Sequence, residues 1–297
     1  MFCKITTRVA MATLPALLVA TQPVFAGETH PEPVRLGEVP NLPASESIMY
    51  DTARDMFYVS VMGGDDPGDG YIASITTDGK TADRSFITGL DEPKGSAVAG
   101  NRLYVSDGKE LAEVNLDDKS IVRHAAPGAV FLNDVAADAE GNIYISDTGQ
   151  SAIYKFDTDK NLTLWMKTNL LNRPNGLLIE GETMYVASWG ERQGEGDDAT
   201  SNGRLLEVDM KSHAIEAITP VPVGNIDGVQ RYGKDGFLIS EWNGGKIYHV
   251  SGSGKAHDIL TPGQSVGDIL YHPGRKQLFL PMNRQGKLLV YSLGKPK

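Results

Sequence analysis

The sequence predicts an all-β fold: a six-bladed β-propeller of four-stranded antiparallel blades, with an N-terminal strand completing the last blade. Three observations carry that expectation. One short pattern recurs with lead positions 46, 94, 133, 175, 227 and 267, spaced by 48, 39, 42, 52 and 40 residues, a period that suits one blade. Between copies, Asp-Gly-Lys and Ser-Gly-Ser-Gly-Lys supply hairpin turns flanked by β-branched and aromatic residues. After the sixth lead position only 30 residues remain, which leaves the last blade one strand short.

From the N-terminus, Lys4 and Arg8 precede the apolar run VAMATLPALLVA, which leads to Val24-Phe25-Ala26. Residues 1–26 therefore read as a cleaved secretory signal, and 27–297 as a single propeller domain that is periplasmic or secreted. The run is shorter than the roughly 20 residues a membrane span needs, and no later segment is long or apolar enough. Cys3 leaves with the signal, so no disulfide is expected. Without Lys4 and Arg8 the 28 basic residues become 26 against 38 acidic ones, a balance of −12. Such an acidic surface argues against nucleic acid and anionic membranes, and suits bound cations.

The segment PVRLGEVP, residues 33 to 40, has no partner within the repeat and is the expected closing strand, which would remove an exposed sheet edge. The copies follow: ESIMYDTARDMFYVS from Glu46, KGSAVAGNRLYVSD from Lys94, NDVAADAEGNIYISD from Asn133, NGLLIEGETMYVAS from Asn175, DGVQRYGKDGFLISE from Asp227 and GDILYHPGRKQLFLP from Gly267. Each reads as a lead residue, an apolar-rich strand, a polar turn and a second strand.

Aligning the copies separates scaffold from site. Tyr58, Tyr104, Tyr144 and Tyr185 share one place and are expected to pack between blades. Ser60, Ser106, Ser146, Ser188 and Ser240 recur at another, so none reads as a nucleophile, and no Gly-x-Ser-x-Gly elbow is present. Asp107, Asp147 and Glu241 follow those serines and are expected to bond to a neighbouring turn. His124, in the connection RHAAPGAV, is placed on the ring side, either as a surface residue or as a proton shuttle.

The lead position differs from blade to blade: Glu46, Lys94, Asn133, Asn175, Asp227 and Gly267. It opens the innermost strand, so the six side chains should converge at one end of the central channel. Glu46, Asn133, Asn175 and Asp227 offer only oxygen, which selects hard cations such as Ca²⁺, with other divalent ions possible. The absence of Cys and His from this ring argues against a typical zinc site. Lys94 either pairs with Glu46 or Asp227 and replaces the metal, or orients an anionic substrate or an oxyanion. Trp189 and Trp242 end their second strands at the same mouth and are placed either as pocket walls for a substrate or as core. The Gly- and Asp-rich loops GGDDPGDG and GERQGEGDDATSNG are candidate rim loops.

These residues resemble the SMP-30/gluconolactonase/luciferin-regenerating-enzyme-like family of calcium-dependent six-bladed propellers. The matching places are Glu46 in ESIMYD, Asn133 in FLNDVAAD, Asn175 in RPNGLLIE and Asp227 in IDGVQRY. The resemblance implies that Glu46, Asn175 and Asp227 are metal ligands, that Asn133 is a fourth ligand or a substrate contact, and that Asp227 activates water. The expectation is thus a Ca²⁺-dependent hydrolase of lactones or related esters acting on a small, sugar-acid-like molecule. The alternative is a non-catalytic exported propeller that binds a small ligand or a protein at the same mouth.

Overall fold

Alternating apolar residues and Gly-, Asp- and Asn-rich turns fold the chain into six four-stranded antiparallel sheets and one two-stranded ribbon. The computed structural model describes residues 32–64, 66–194 and 200–294, so the expected signal 1–26 lies outside the described residues. The innermost strands are Ser45–Asp51, Pro93–Ala99, Leu132–Ala137, Pro174–Glu180, Ile226–Tyr232 and Leu270–His272. They open blades one to six in that order, and neighbouring inner strands touch around a ring, the last against the first.

The closing strand forms as expected. Val34–Pro40 pairs antiparallel with Lys287–Ser292, from Val34 opposite Ser292 to Pro40 opposite Lys287. The last blade thereby gains its outer strand from the other end of the chain.

Apolar packing holds the ring together at the seams. Six hydrophobic clusters of the described residues each join two consecutive blades, including one that ties the last blade to the first through Phe279, Phe57 and Leu288. The repeated tyrosines lie in these seams: Tyr104 packs 5.9 Å from Phe156 of the next blade, and Tyr185 packs 4.7 Å from Phe237 of the next.

Hydrogen bonds to the repeated serines hold the ends of the inner strands. Ser240 Oγ accepts from Gly228 N and donates to Gly267 O of the following blade, both at 2.8 Å. Ser106 Oγ donates to Asn133 O, again across a seam, and Ser146 Oγ accepts from Asp134 N at 2.9 Å. The acids after the serines gather turn amides: Asp147 accepts from Val130 and Phe131, and Glu241 from Asn225, Asn243 and Gly244. His124 is not in a connection on the ring side. It lies in the outer strand Ile121–Ala125, with Nε2 2.9 Å from Glu113, because antiparallel pairing with Glu110 to Val114 carries that strand past the predicted turn, His124 opposite Leu111.

Candidate functional site

Five inner strands break their ladder on reaching the channel. The register shifts between Ser45 and Ser47, Pro93 and Ser96, Leu132 and Val135, Pro174 and Leu177, and Ile226 and Val229. Irregularities of this kind re-aim side chains, and they fall on Glu46, Lys94, Asn133, Asn175 and Asp227. All five side chains are buried and line one cavity of about 290 Å³. The sixth lead residue, Gly267, meets the first blade so closely that a Cβ there would lie 2.1 Å from the Glu46 carbonyl oxygen.

Two oxygens in this ring lack partners. Asn175 Nδ2 donates to Asp227 Oδ2 at 3.2 Å, while Asn175 Oδ1 and Asp227 Oδ1 are buried with no hydrogen-bond partner. Orphaned buried acceptors are costly and rare, and they ask for a donor or a cation. Burial also raises the carboxyl groups. Glu46 is pushed up to about 7 by burial, with Lys94 opposing and Asp134 reinforcing the shift. Asp227 lies well above its ordinary value through burial and then repulsion from Glu46 and Asp134.

Asp134 and Asp268 were not singled out by the sequence reading. Each follows a lead residue, where the other blades carry Ser47, Gly95, Gly176 and Gly228. Asp134 is raised to about 7 by burial, although it accepts from Leu177 N at 2.6 Å. Asp268, which accepts from Ser47 Oγ at 3.2 Å, is also raised well above the ordinary range, by burial and by the other carboxylates. The glycines opposite make room for them, since a Cβ at Gly95 or Gly228 would lie 2.2 or 2.4 Å from an aspartate oxygen. Among the described residues, no group of three or more His, Cys, Asp or Glu side chains is close enough to hold a metal ion. The expected quartet is of another composition, two carboxylates and two amides. Its oxygen-only donors, its excess negative charge and its two orphaned acceptors fit a hard cation.

Lys94 takes neither of its expected carboxylate partners. Its ammonium lies 3.1 Å from Glu92 Oε2 and 4.6 Å over the Phe131 ring. Asn133 donates from Nδ2 to Thr148 Oγ1 at 3.3 Å, and Thr148 in turn donates to Pro174 O at 2.6 Å, so the amide oxygen of Asn133 is the end left to the cavity.

Above the lead ring stands a second tier. The backbone N–H groups of Met62, Thr148, Trp189 and Trp242 donate to Ala44, Phe131, Arg173 and Asn225, each the residue two before a lead position. In these four blades the bond brings the end of the second strand over the channel mouth. Met62, Phe131, Trp189 and Trp242 form the apolar wall of the cavity, with the two tryptophan rings 6.1 Å apart. Both tryptophans thus stand where the sequence placed them, and Met62 and Trp189 open the two candidate rim loops. Arg173 and Phe131 were missed. Their signal was their offset of two from Asn175 and Asn133.

No family model matches the chain, and no curated protein matches it significantly. A gluconolactonase from Xanthomonas campestris superposes with a TM-score of 0.67 at 16% identity, covering 88% of this chain and 92% of that one. The luciferin-regenerating enzyme superposes at 0.63 and 15% identity, covering 89% and 97%. The chain shares their fold. A virginiamycin B lyase from Staphylococcus aureus also superposes, with a TM-score of 0.60 at 12% identity over 87% of this chain and 99% of that one. Propeller architecture alone therefore does not choose a reaction.

Proposed function

We propose that the protein is a cation-dependent hydrolase of lactones or related esters, with Ca²⁺ as the metal. The observation that carries this reading is the pair of orphaned buried oxygens, Asn175 Oδ1 and Asp227 Oδ1, in one cavity with Glu46 and Asn133. Glu46, Asn175, Asp227 and Asn133 would hold the ion. When bound, it supplies Lewis acidity for a carbonyl oxygen.

The chain's own residues account for the rest. A carboxyl raised as far as Asp227 is a poor base until positive charge restores its anion. Restored, and with one oxygen held by the Asn175 amide, it takes a proton from water as the water oxygen bonds to the carbonyl carbon, and returns that proton to the leaving oxygen as the ester carbon–oxygen bond breaks. The Trp189 and Trp242 rings exclude bulk water and seat the substrate. The repeated serines are fully buried in the seams, so no covalent serine intermediate is needed. Export to the periplasm or beyond rests on the leader sequence, whose residues lie outside the described ones. No helix among the described residues is long and apolar enough to cross a membrane.

The test is a lactone panel assayed with Ca²⁺, with chelator, and with Asp227→Asn. Hydrolysis that disappears under both perturbations supports the reading. Hydrolysis indifferent to both refutes the metal mechanism, and inactivity across the panel with tight binding of a lactone leaves a non-catalytic binding propeller.

A further inference from the structure

Around the channel mouth, the tier two residues before each lead position carries Ala44, Glu92, Phe131, Arg173, Asn225 and Ser265. Its backbone is scaffold. Arg173 has a left-handed φ of 61°, but so do its equivalents Ala44 and Ser265, at 54° and 64°, so the conformation belongs to the turn and not to the arginine. The turn is fixed from both sides: Arg173 N donates to Ser151 Oγ at 3.0 Å, and Arg173 O accepts from Trp189 N at 2.8 Å. What is peculiar to the fourth blade is therefore the side chain.

That side chain lines the cavity beside the apolar wall. Its one hydrogen bond among the described residues is a long one, from Nε to Thr148 O at 3.5 Å, and no carboxylate there lies within ion-pair distance of it. Lys94 lines the same cavity, but Glu92 already neutralises it and the Phe131 ring covers it. Of the two cations in the wall, only Arg173 has its charge and its terminal N–H groups uncommitted. A guanidinium fork matches a carboxylate in a bidentate manner, which an ammonium cannot do.

We propose that Arg173 is the specificity-determining anchor for a carboxylate on the substrate, and that the site accepts small lactones or esters joining an apolar ring to an anionic group. The apolar ring would lie against Trp189, Trp242 and Phe131, with the reacting carbonyl below it at the lead ring. A cavity of about 290 Å³ is at the small end of ligand sites, so it suits a compact substrate. A polyhydroxylated lactone would set its hydroxyl groups against Met62, Phe131 and the two tryptophans, which offer few partners. The substrate class rests on the hydrolase reading above; the carboxylate anchor itself does not.

The experiment uses the mature protein with Ca²⁺ and a matched pair of substrates, a phenyl-substituted γ-lactone and its para-carboxyphenyl counterpart. Tryptophan fluorescence quenching by 3-phenylpropionate and by its neutral amide runs in parallel. The expected result is a preference for the carboxylated partner in both assays, carried mostly by KM. Arg173→Met should cut that preference about 10- to 100-fold, the range of a charge-assisted hydrogen bond, and Arg173→Lys should keep part of it. Should Arg173→Met fail to fold, raising ionic strength on the unmodified protein should weaken 3-phenylpropionate binding and not that of the amide. Turnover without charge preference, or a preference that survives Arg173→Met, overturns the anchor and leaves the hydrolase reading standing. Arg173-dependent quenching without turnover of any lactone supports the anchor and overturns the hydrolase.

Discussion

Replacing Ser240 with alanine removes one hydroxyl that serves two blades. Gly228 N donates to it at 2.8 Å and it donates to Gly267 O at 2.8 Å, in surroundings where Ser240 is fully buried. Alanine keeps the backbone and the Cβ but leaves one buried donor and one buried acceptor unpaired. At about 1–3 kcal/mol for each orphan, the loss should be roughly 2–6 kcal/mol. A chain of this size melts about 2–4 °C lower per kcal/mol, so the apparent Tm should fall roughly 4–24 °C. Differential scanning calorimetry reads the first quantity, and lactone hydrolysis well below the melt reads the second. If the repeated serines are scaffold, kcat should stay within about tenfold of the parent, because no bond to the reacting atoms is lost. An unchanged Tm would refute the seam argument. A collapse of kcat with an unchanged Tm would make Ser240 a nucleophile and refute the reading of the whole repeat.

Gly228→Ala should destabilise the fifth and sixth blades by about 1–3 kcal/mol or more, since its Cβ would lie 2.4 Å from Asp268 Oδ1 and 2.6 Å from Ile269 N; thermal melts check it. Deleting residues 33 to 40 unpairs the strand Lys287–Ser292 and bares an edge, so light scattering should detect association and the melt should broaden; a monodisperse monomer with the parent Tm would contradict the closure. Glu113 tests an ionic seam between the second and third blades, where Lys160 Nζ lies 2.9 Å from its Oε1. Burial alone would raise its carboxyl, but Lys160 and His124 outweigh that and hold it below 4.5. A depressed folded-state value stabilises above the unfolded one and is lost as pH falls through the folded one. Glu113→Gln should therefore lower the Tm at neutral pH, and the difference should shrink as the pH drops below 4.5.

The blades were legible because every copy reports the same strand–turn–strand unit, so errors in one are corrected by the others. The closing strand was legible by subtraction, as PVRLGEVP was the one strand-like segment without a partner. Glu46, Asn133, Asn175 and Asp227 stood out because one position varied among polar types while its neighbours repeated. The tier above them was hidden for the converse reason: Ala44, Phe131, Arg173, Asn225 and Ser265 share a backbone role and no side-chain chemistry. Asp134 and Asp268 were masked by alternation, which assigns the residue after a lead position to the opposite face until an irregular register turns it. Lys94 was ambiguous because Glu46 and Asp227 were both in range on paper, and only the fold shows that Glu92, two residues before it, takes it.

That choice bears on what the channel requires. With Lys94 committed to Glu92, its help to Glu46 is electrostatic and at a distance, and Asp134, Asp227 and Asp268 have no cationic partner of their own among the described residues. Such a channel either takes up protons, which disarms Asp227, or takes up a cation, which restores it as a base; the hydrolase proposal is the second branch. The two tiers then divide the work between chemistry and selection. The lower one is constrained by Ser106, Ser146 and Ser240 and by the glycines that clear room for Asp134 and Asp268. In the upper one Glu92 holds Lys94 and Asn225 donates to Trp189 O, whereas the Arg173 side chain makes only a long bond to Thr148 O, so it can change with the substrate while the reacting groups below stay where they are. Arg173 occupies such a position, and a change there should alter which ligand is taken without dismantling the ring.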